Sequence, residues 1–261
     1  MESNAAPRRV RLLGGEVDLV TPGEVMDFAA RTVAAGGQAV IANHNSHSLF
    51  LLRRAPALRA FFDQADLIQI DSTPLILWGR LMGLPLQGGL RSTYLDWRET
   101  FWRLANERAW RVFYLGGAPG VAETAGQRLA ERWRLAAIAS HHGFFDLQPR
   151  SPENRSVLAK IAAFEPDVLL VGMGMPRQEA WIAQNRAALG RGVIFSVGAA
   201  FDYEAGVQAA PPRWTGALGV EWLARLIAHP RRLFTRYLVE PWSLIGPALE
   251  DVGAAFHRSQ R

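Results

Sequence analysis

Val168-Leu169-Leu170-Val171 runs straight into Gly172-Met173-Gly174-Met175-Pro176-Arg177-Gln178-Glu179. A short apolar run feeding a Gly-x-Gly turn reads as a buried parallel strand that ends where backbone approaches a ligand closely. Ligands of open α/β sheets bind at that edge, outside the carboxyl ends of the strands. Gln178 and Glu179 set an amide and a carboxylate at the same edge, where polar groups are costly to crowd without a role. The segment predicts an enzyme site on a doubly wound sheet.

Working outward, short apolar runs recur at 39–42, 67–70, 112–115 and 193–197, each bounded by Gly, Pro, Asp or Asn. Helical patterns at 23–35, 48–64, 94–108, 120–133 and 177–188 separate them. Strands alternating with helices of that length predict an α/β, Rossmann-like parallel sheet flanked by helices. No internal repeat or low-complexity linker interrupts the pattern. Composition changes at Ala209-Ala210-Pro211-Pro212, after which the chain reads as helices rich in Trp, Leu and Arg. The expected division is a core over 1–207 and a helical appendage over 208–261.

Composition narrows the chemistry. The 261 residues include no cysteine, which removes disulfides, cysteine-ligated zinc and thiol nucleophiles and fits a cytosolic compartment. The first residues lack the apolar stretch of a signal peptide, and no run approaches the ~20 apolar residues of a membrane span. Net charge is +5 with a pI near 10.3, and Lys160 is the only lysine, so the positive charge is nearly all arginine. Arginine codons of a GC-rich genome would produce this. So would recognition of phosphate or anionic lipid, where the guanidinium fork matches diphosphate oxygens. Nucleic acid is not indicated.

Five constellations carry candidate chemistry. Asn43-His44-Asn45-Ser46-His47-Ser48 follows the first long apolar run; it supplies a binding loop or a turn with a helix N-cap. His44 and His47 have no third ligand at suggestive spacing, so no metal is expected. Asp71, at the end of the run 67–70 and before Ser72, is either a general base facing the cleft or the cap of the next helix, with Pro74 in its first turn. Gly116 and Gly117 open a turn from strand into helix whose amides could hold a diphosphate. The glycine spacing is not that of a dinucleotide fingerprint and no ribose-binding acid follows, which disfavours NAD. Asp202 and Glu204 form a second candidate acid pair. In the tail, Arg225, His229, Arg232 and Arg236 fall at i, i+4, i+7 and i+11, one stripe of a helix if Pro230 only kinks it. Beside a Trp- and Leu-rich face, such a stripe suits anionic lipid or packs on protein. No acid occurs from Trp222 through Val239, which favours the phosphate or lipid reading.

Collected in order, Asn43-His44-Asn45, Asp71-Ser72, Arg91 with Asp96, Leu115-Gly116-Gly117, Gly172 to Glu179, Val197 to Asp202 and Glu221-Trp222-Leu223-Ala224-Arg225-Leu226 through Arg236-Tyr237 resemble the WecG/TagA/CpsF glycosyltransferases. The resemblance covers about residues 10–240. Its most specific pieces are Gly-x-Gly-x-Pro-x-Gln-Glu and the Glu-Trp-Leu-x-Arg-Leu tail with its later Pro, Arg and Tyr residues.

That resemblance implies a bacterial enzyme at the inner face of the cytoplasmic membrane. It would move a sugar from a UDP-sugar to a sugar on undecaprenyl diphosphate, with inversion, without metal and without a cofactor. It also implies a Rossmann-like core with a mobile appendage that reaches the membrane and helps complete the site. By the same resemblance Asp71 is the general base, Arg91 and Gln178 assist catalysis, and Asn45 belongs to the sugar pocket. Arg225, Arg232 and Arg236 match appendage arginines that would stabilise the departing diphosphate in the absence of metal. Gly172, Gly174, Glu179, Asp202 and the two glycines at 116 and 117 are expected to line the substrates.

Three positions depart from the family pattern. Asn43 stands where Thr is usual, Ser72 where Gly is usual after the Asp, and Ala210 where a basic residue is common. The first two line the expected sugar pocket, so N-acetylmannosamine, its uronic acid, glucuronic acid and other hexoses stay open as donors. Two other readings carry over: a nucleotide-dependent oxidoreductase or epimerase on the same fold, and a non-catalytic scaffold. Exposed tail aromatics would suit a dimer or trimer.

Overall fold

The computed structural model describes residues 7–86, 89–212, 215, 220–228 and 230–259. Its centre is a six-stranded parallel sheet, in the order β4-β3-β8-β7-β5-β6. The strands are β3 (Gln38–His44), β4 (Leu67–Ile70), β5 (Arg111–Gly116), β6 (Ala137–His141), β7 (Val168–Gly172) and β8 (Gly192–Ser196). A short antiparallel hairpin, β1 (Arg9–Leu12) and β2 (Gly15–Asp18), precedes them. The predicted α/β parallel sheet is therefore present.

Helices cover both faces. The first, α1 (Pro22–Ala34), starts on a capping box in which Thr21 and Glu24 satisfy each other's amides, with Pro22 at the first position. Next come α2 (Ser46–Leu52), α3 (Pro56–Asp63), α4 (Thr73–Leu81), α5 (Tyr94–Glu107) and α6 (Val121–Arg132). They are followed by α7 (Pro152–Phe164), α8 (Arg177–Asn185) and α9 (Ala200–Glu204). One side of the sheet buries Trp97, Phe101, Trp102, Tyr114, Phe195 and Phe201; the other buries Phe61, Phe113, Trp181 and Ile194. Strands β4, β7 and β8 are buried at every residue, which is why their sequences read as continuous apolar runs.

Some expectations change. The helix expected over 48–64 is two helices, because Pro56 cannot continue the first and instead opens the second. The hairpin, β6 and α7 carry no strong apolar periodicity and were not anticipated. Residues of β6 are all half-buried at the sheet edge, so a mixed composition suffices there.

The tail is helical, with α10 (Glu221–Ala228), α11 (Pro230–Phe234), a π-helical turn (Thr235–Val239), a 3-10 turn (Glu240–Leu244) and α12 (Ile245–Ser259). It docks on the hairpin and on α2. Leu244 is buried with Leu12, Leu49, Leu75 and Leu86. Asp251 accepts hydrogen bonds from the Leu13 amide at 2.9 Å and from Trp78 Nε1 at 2.8 Å.

This arrangement corrects the expected basic stripe. Thr235–Val239 form a π-helical turn, so a 3.6-residue period is not kept as far as Arg236. Arg236 turns to the core, as described below. His229 and the side chains of Arg225 and Arg232 lie outside the described residues. The exposed stripe is apolar instead: Ile245, Leu249, Val252 and Phe256 recur at helical spacing along α12, 45–67 % exposed. Among the described residues no helix is long and apolar enough to cross a membrane.

Candidate active site

Two neighbouring cavities open at the carboxyl ends of β3, β4, β7 and β8. The larger, about 470 Å³, is walled by Asn43, Gln69, Asp71, Gly174, Gln178, Ser196, Gly198 and Asp202 from the core. The smaller, about 250 Å³, lies between Asp71, Ser72 and Arg91 of the core and Trp222, Tyr237 and Pro241 of the tail. Asn45, His47, Asp71, Arg236 and Tyr237 line both. The tail thus supplies one wall of the site.

Asp71 sits where β4 ends, its amide donating to the carbonyl of His44 on the adjacent strand at 2.8 Å. Its Oδ2 faces the Asn43 amide nitrogen at 3.4 Å, and Asn43 Oδ1 accepts from Ser196 Oγ at 3.2 Å. The N-cap position of α4 is Ser72, and Asp71, one residue earlier, lines the cavity wall. Asn45 does cap: its Oδ1 accepts from the His47 and Ser48 amides at 3.0 and 3.1 Å, while Ser48 Oγ accepts from the Asn45 amide. It also lines the cavities, so the capping and binding readings both hold for it.

His44 and His47 face different surroundings. His44 is fully buried, stacked on Phe62 at 3.8 Å, and burial pushes its pKa down to about 3. It is a core residue. His47 lines the site, and its Nδ1 lies 2.6 Å from Glu240 Oε2 on the tail. Among the described residues no cluster of three or more His, Asp or Glu side chains is placed to hold a metal ion.

Arg91 holds Asp96 at 2.8 Å and Glu221 of the tail at 2.7 Å, each side chain about 15 % exposed. Burial opposes its charge, but the hydrogen bonds and proximity of the two carboxylates outweigh it and leave the pKa raised. The guanidinium expected to assist catalysis therefore also ties the tail to the core.

Gln178 is 3 % exposed and reaches the larger cavity. Its Oε1 accepts from the Gly198 amide at 3.2 Å and its Nε2 donates to Glu179 Oε1 at 2.7 Å. Glu179, expected to touch substrate, is completely buried behind it, with Oε2 left without a hydrogen-bond partner. Burial is the main cause that raises its pKa from 4.5 to about 7; the Gln178 amide only partly offsets it.

The glycines divide. Gly174, at φ +77°, needs glycine for its conformation and lies on the larger cavity. Gly116 and Gly172 serve strand proximity instead. A Cβ on Gly116 would stand 2.2 Å from the Gly172 carbonyl oxygen, and one on Gly172 would stand 2.3 Å from that of Gly198. Gly117, at φ +66°, lies against Asp202, a wall residue of the larger cavity. The turn expected as a phosphate cradle at 116–117 thus also serves a tight chain crossing beside the site. The acid pair also comes apart: Glu204 accepts from Tyr94 Oη at 2.8 Å and sits 3.6 Å from Arg98, in structural roles.

Sequence reading missed the part played by tail acids. Residues 208–261 hold only Glu221, Glu240, Glu250 and Asp251 as acids, and each meets the core: Arg91, His47, Arg11 at 3.2 Å, and Leu13 with Trp78. Their isolation in an otherwise basic tail was the available signal. Trp222 and Tyr237, packed edge to face at 6.1 Å, were likewise read as part of an apolar face and prove to line the smaller cavity.

Residues 10–254 match the sequence model of the Glycosyl transferase WecG/TagA/CpsF family. Among curated relatives, the N-acetylglucosaminyldiphosphoundecaprenol N-acetyl-beta-D-mannosaminyltransferases of Staphylococcus aureus strains COL and N315 are each 26 % identical over 243 residues, covering 89 % of this chain and 90 % of the relative. With the match spanning the sheet, the site and the docked tail, the chain belongs to the WecG/TagA/CpsF family of glycosyltransferases.

Proposed function

We propose that the protein transfers a sugar, with N-acetylmannosamine the first candidate, from its UDP derivative to a sugar carried on undecaprenyl diphosphate. The observation that carries this reading is the pairing of two cavities on Asp71, each walled by core loops on one side and by the tail on the other. A two-substrate transfer needs two adjoining pockets that share the reacting group. The oxidoreductase and epimerase reading lacks this support and the family's activity goes against it.

In the proposed reaction the nucleotide sugar occupies the larger cavity, beside the Gly174 turn, Gln178 and Asp202. The acceptor hydroxyl enters through the smaller one. Its oxygen forms a bond to the anomeric carbon as the bond from that carbon to the UDP oxygen breaks, and the hydroxyl proton passes to the Asp71 carboxylate. One base opposite the leaving group gives inversion, by analogy with inverting glycosidases. Charge develops on the departing diphosphate, and Arg236, which lines both cavities, is the cation best placed to stabilise it without metal. Arg225 and Arg232 are proposed to join it.

We place the boundary between core and appendage near residue 208 and assign the appendage to the inner face of the cytoplasmic membrane. Support for the membrane comes from the apolar stripe on α12 together with exposed Trp242 and Ile227, 72 % and 73 % exposed. A lipid-borne acceptor would approach from that side.

The test is a substitution that separates binding from transfer. Asp71→Asn is expected to bind UDP in the presence of EDTA as the unmodified protein does, by calorimetry, and to lose about 10²–10⁴-fold in turnover. Equal loss of both would remove Asp71 from the role of base.

A further inference from the structure

Resting on the two-pocket reading above, a second residue can be given a role from geometry. His47 stands in the first turn of α2, fixed by the Asn45 cap, and its ring lines both cavities with Asp71. Glu240, 8 % exposed on the 3-10 turn of the appendage, sits 2.6 Å from Nδ1. A carboxylate only accepts, so Nδ1 must carry the proton and a neutral ring then has its lone pair on Nε2. Among the described residues Nε2 has no hydrogen-bond partner of its own.

We infer that His47 grips the acceptor sugar: with Nδ1–H held by Glu240, Nε2 accepts a hydrogen bond from an acceptor hydroxyl beside Asp71, and does so only when the appendage is seated. The acceptor is the natural partner, because the smaller cavity reaches Pro241, next to Trp242, an apolar side chain 72 % exposed where a lipid-borne sugar would arrive. Glu240 is then a positioning residue. It selects the tautomer of a side chain on the core, and so makes acceptor binding depend on docking of the tail.

Charged groups around the ring fit this role. Burial is the main cause lowering its pKa below 6.5, Arg236 adds to the lowering, and the Glu240 hydrogen bond opposes it. Asp71 and the Arg91–Glu221 pair line the same cavity. Above its pKa the ring is neutral and Nε2 accepts. As pH falls through that value the ring gains a proton and Nε2 can no longer accept.

The experiment uses the full chain, UDP-N-acetylmannosamine and a short-chain N-acetylglucosaminyl diphospholipid, with UDP release as the readout. His47→Ala and Glu240→Ala should each raise the acceptor KM about tenfold, the factor for one neutral hydrogen bond, with UDP affinity unchanged. The double variant should be no worse than His47→Ala alone, since one interaction acts through the other. His47→Gln, which keeps an amide between Glu240 and the cavity, should recover part of the loss. An unchanged acceptor KM, a parallel fall in UDP affinity, or a double variant clearly worse than His47→Ala would overturn the inference. No acceptor-dependent release from the unmodified protein would instead overturn the proposed reaction, and this assignment with it.

Discussion

At the scale of single residues, Glu179 shows how a group can matter to a site without touching it. Its carboxyl is enclosed, accepts from the Gln178 amide, and leaves Oε2 unpaired, a setting that favours the neutral acid over the carboxylate. The consequence for stability has a definite sign. The pKa is raised from 4.5 to about 7, so between those values an unfolded chain releases the proton while the folded one keeps it. The stabilisation is complete below 4.5 and is lost as pH rises through 7, by ~3 kcal/mol at most. Glu179→Gln keeps an acceptor for Gln178 and cannot ionise. In urea unfolding the variant should match the unmodified protein near pH 4.5 and exceed it at pH 8. A difference that does not change with pH would contradict the buried, protonated carboxyl. The glutamate was visible in the sequence as part of a Gln-Glu pair, yet its burial was not. Adjacent residues on a helix point about 100° apart, and nothing local says which of the two meets the cavity. Gly116 and Gly172 carry a second signal: close approach of neighbouring strands leaves the same residue type as close approach of a ligand.

At the scale of elements, the two sides of the appendage do different work. Its acids bind the core, through Glu221 on Arg91, Glu240 on His47 and Asp251 on Leu13 and Trp78. Its outer surface along α12 is apolar, and Leu249 and Phe256 are 67 % and 63 % exposed. Replacing both by Ser should reduce sedimentation with anionic vesicles several-fold while leaving turnover on a short-chain acceptor intact. If vesicle binding is unchanged and light scattering shows loss of a dimer or trimer instead, the stripe is a contact between copies of the chain. Legibility differed between elements for physical reasons. Strands buried on both faces announced themselves as apolar runs. The edge strand β6 and the hairpin did not, because half-exposed strands accept mixed residues. The tail was legible as helical and cationic. Its stripe was misplaced because a π-helical turn, which no local pattern indicated, rotates Arg236 toward Asp71.

At the scale of the whole molecule, the topology gathers the chemistry. Parallel strands put their carboxyl ends on one edge, so Asn43, Asp71, Gly174 and Ser196 converge although up to 153 residues separate them. The appendage then folds back to close that edge, and pairs such as His47 with Glu240, 193 residues apart, form only in the assembled fold. No reading of sequence spacing could have found them. The resemblance anticipated that the tail completes the site; which residues do so required the structure. The central claim is transfer from a nucleotide sugar to a lipid-borne one, and the direct measurement is UDP release. It would be made with a panel of UDP-sugars and a short-chain N-acetylglucosaminyl diphospholipid, in EDTA. Release that requires the acceptor and favours one donor is the predicted result. Release from no donor across the panel, or release that needs a divalent cation, would contradict the account.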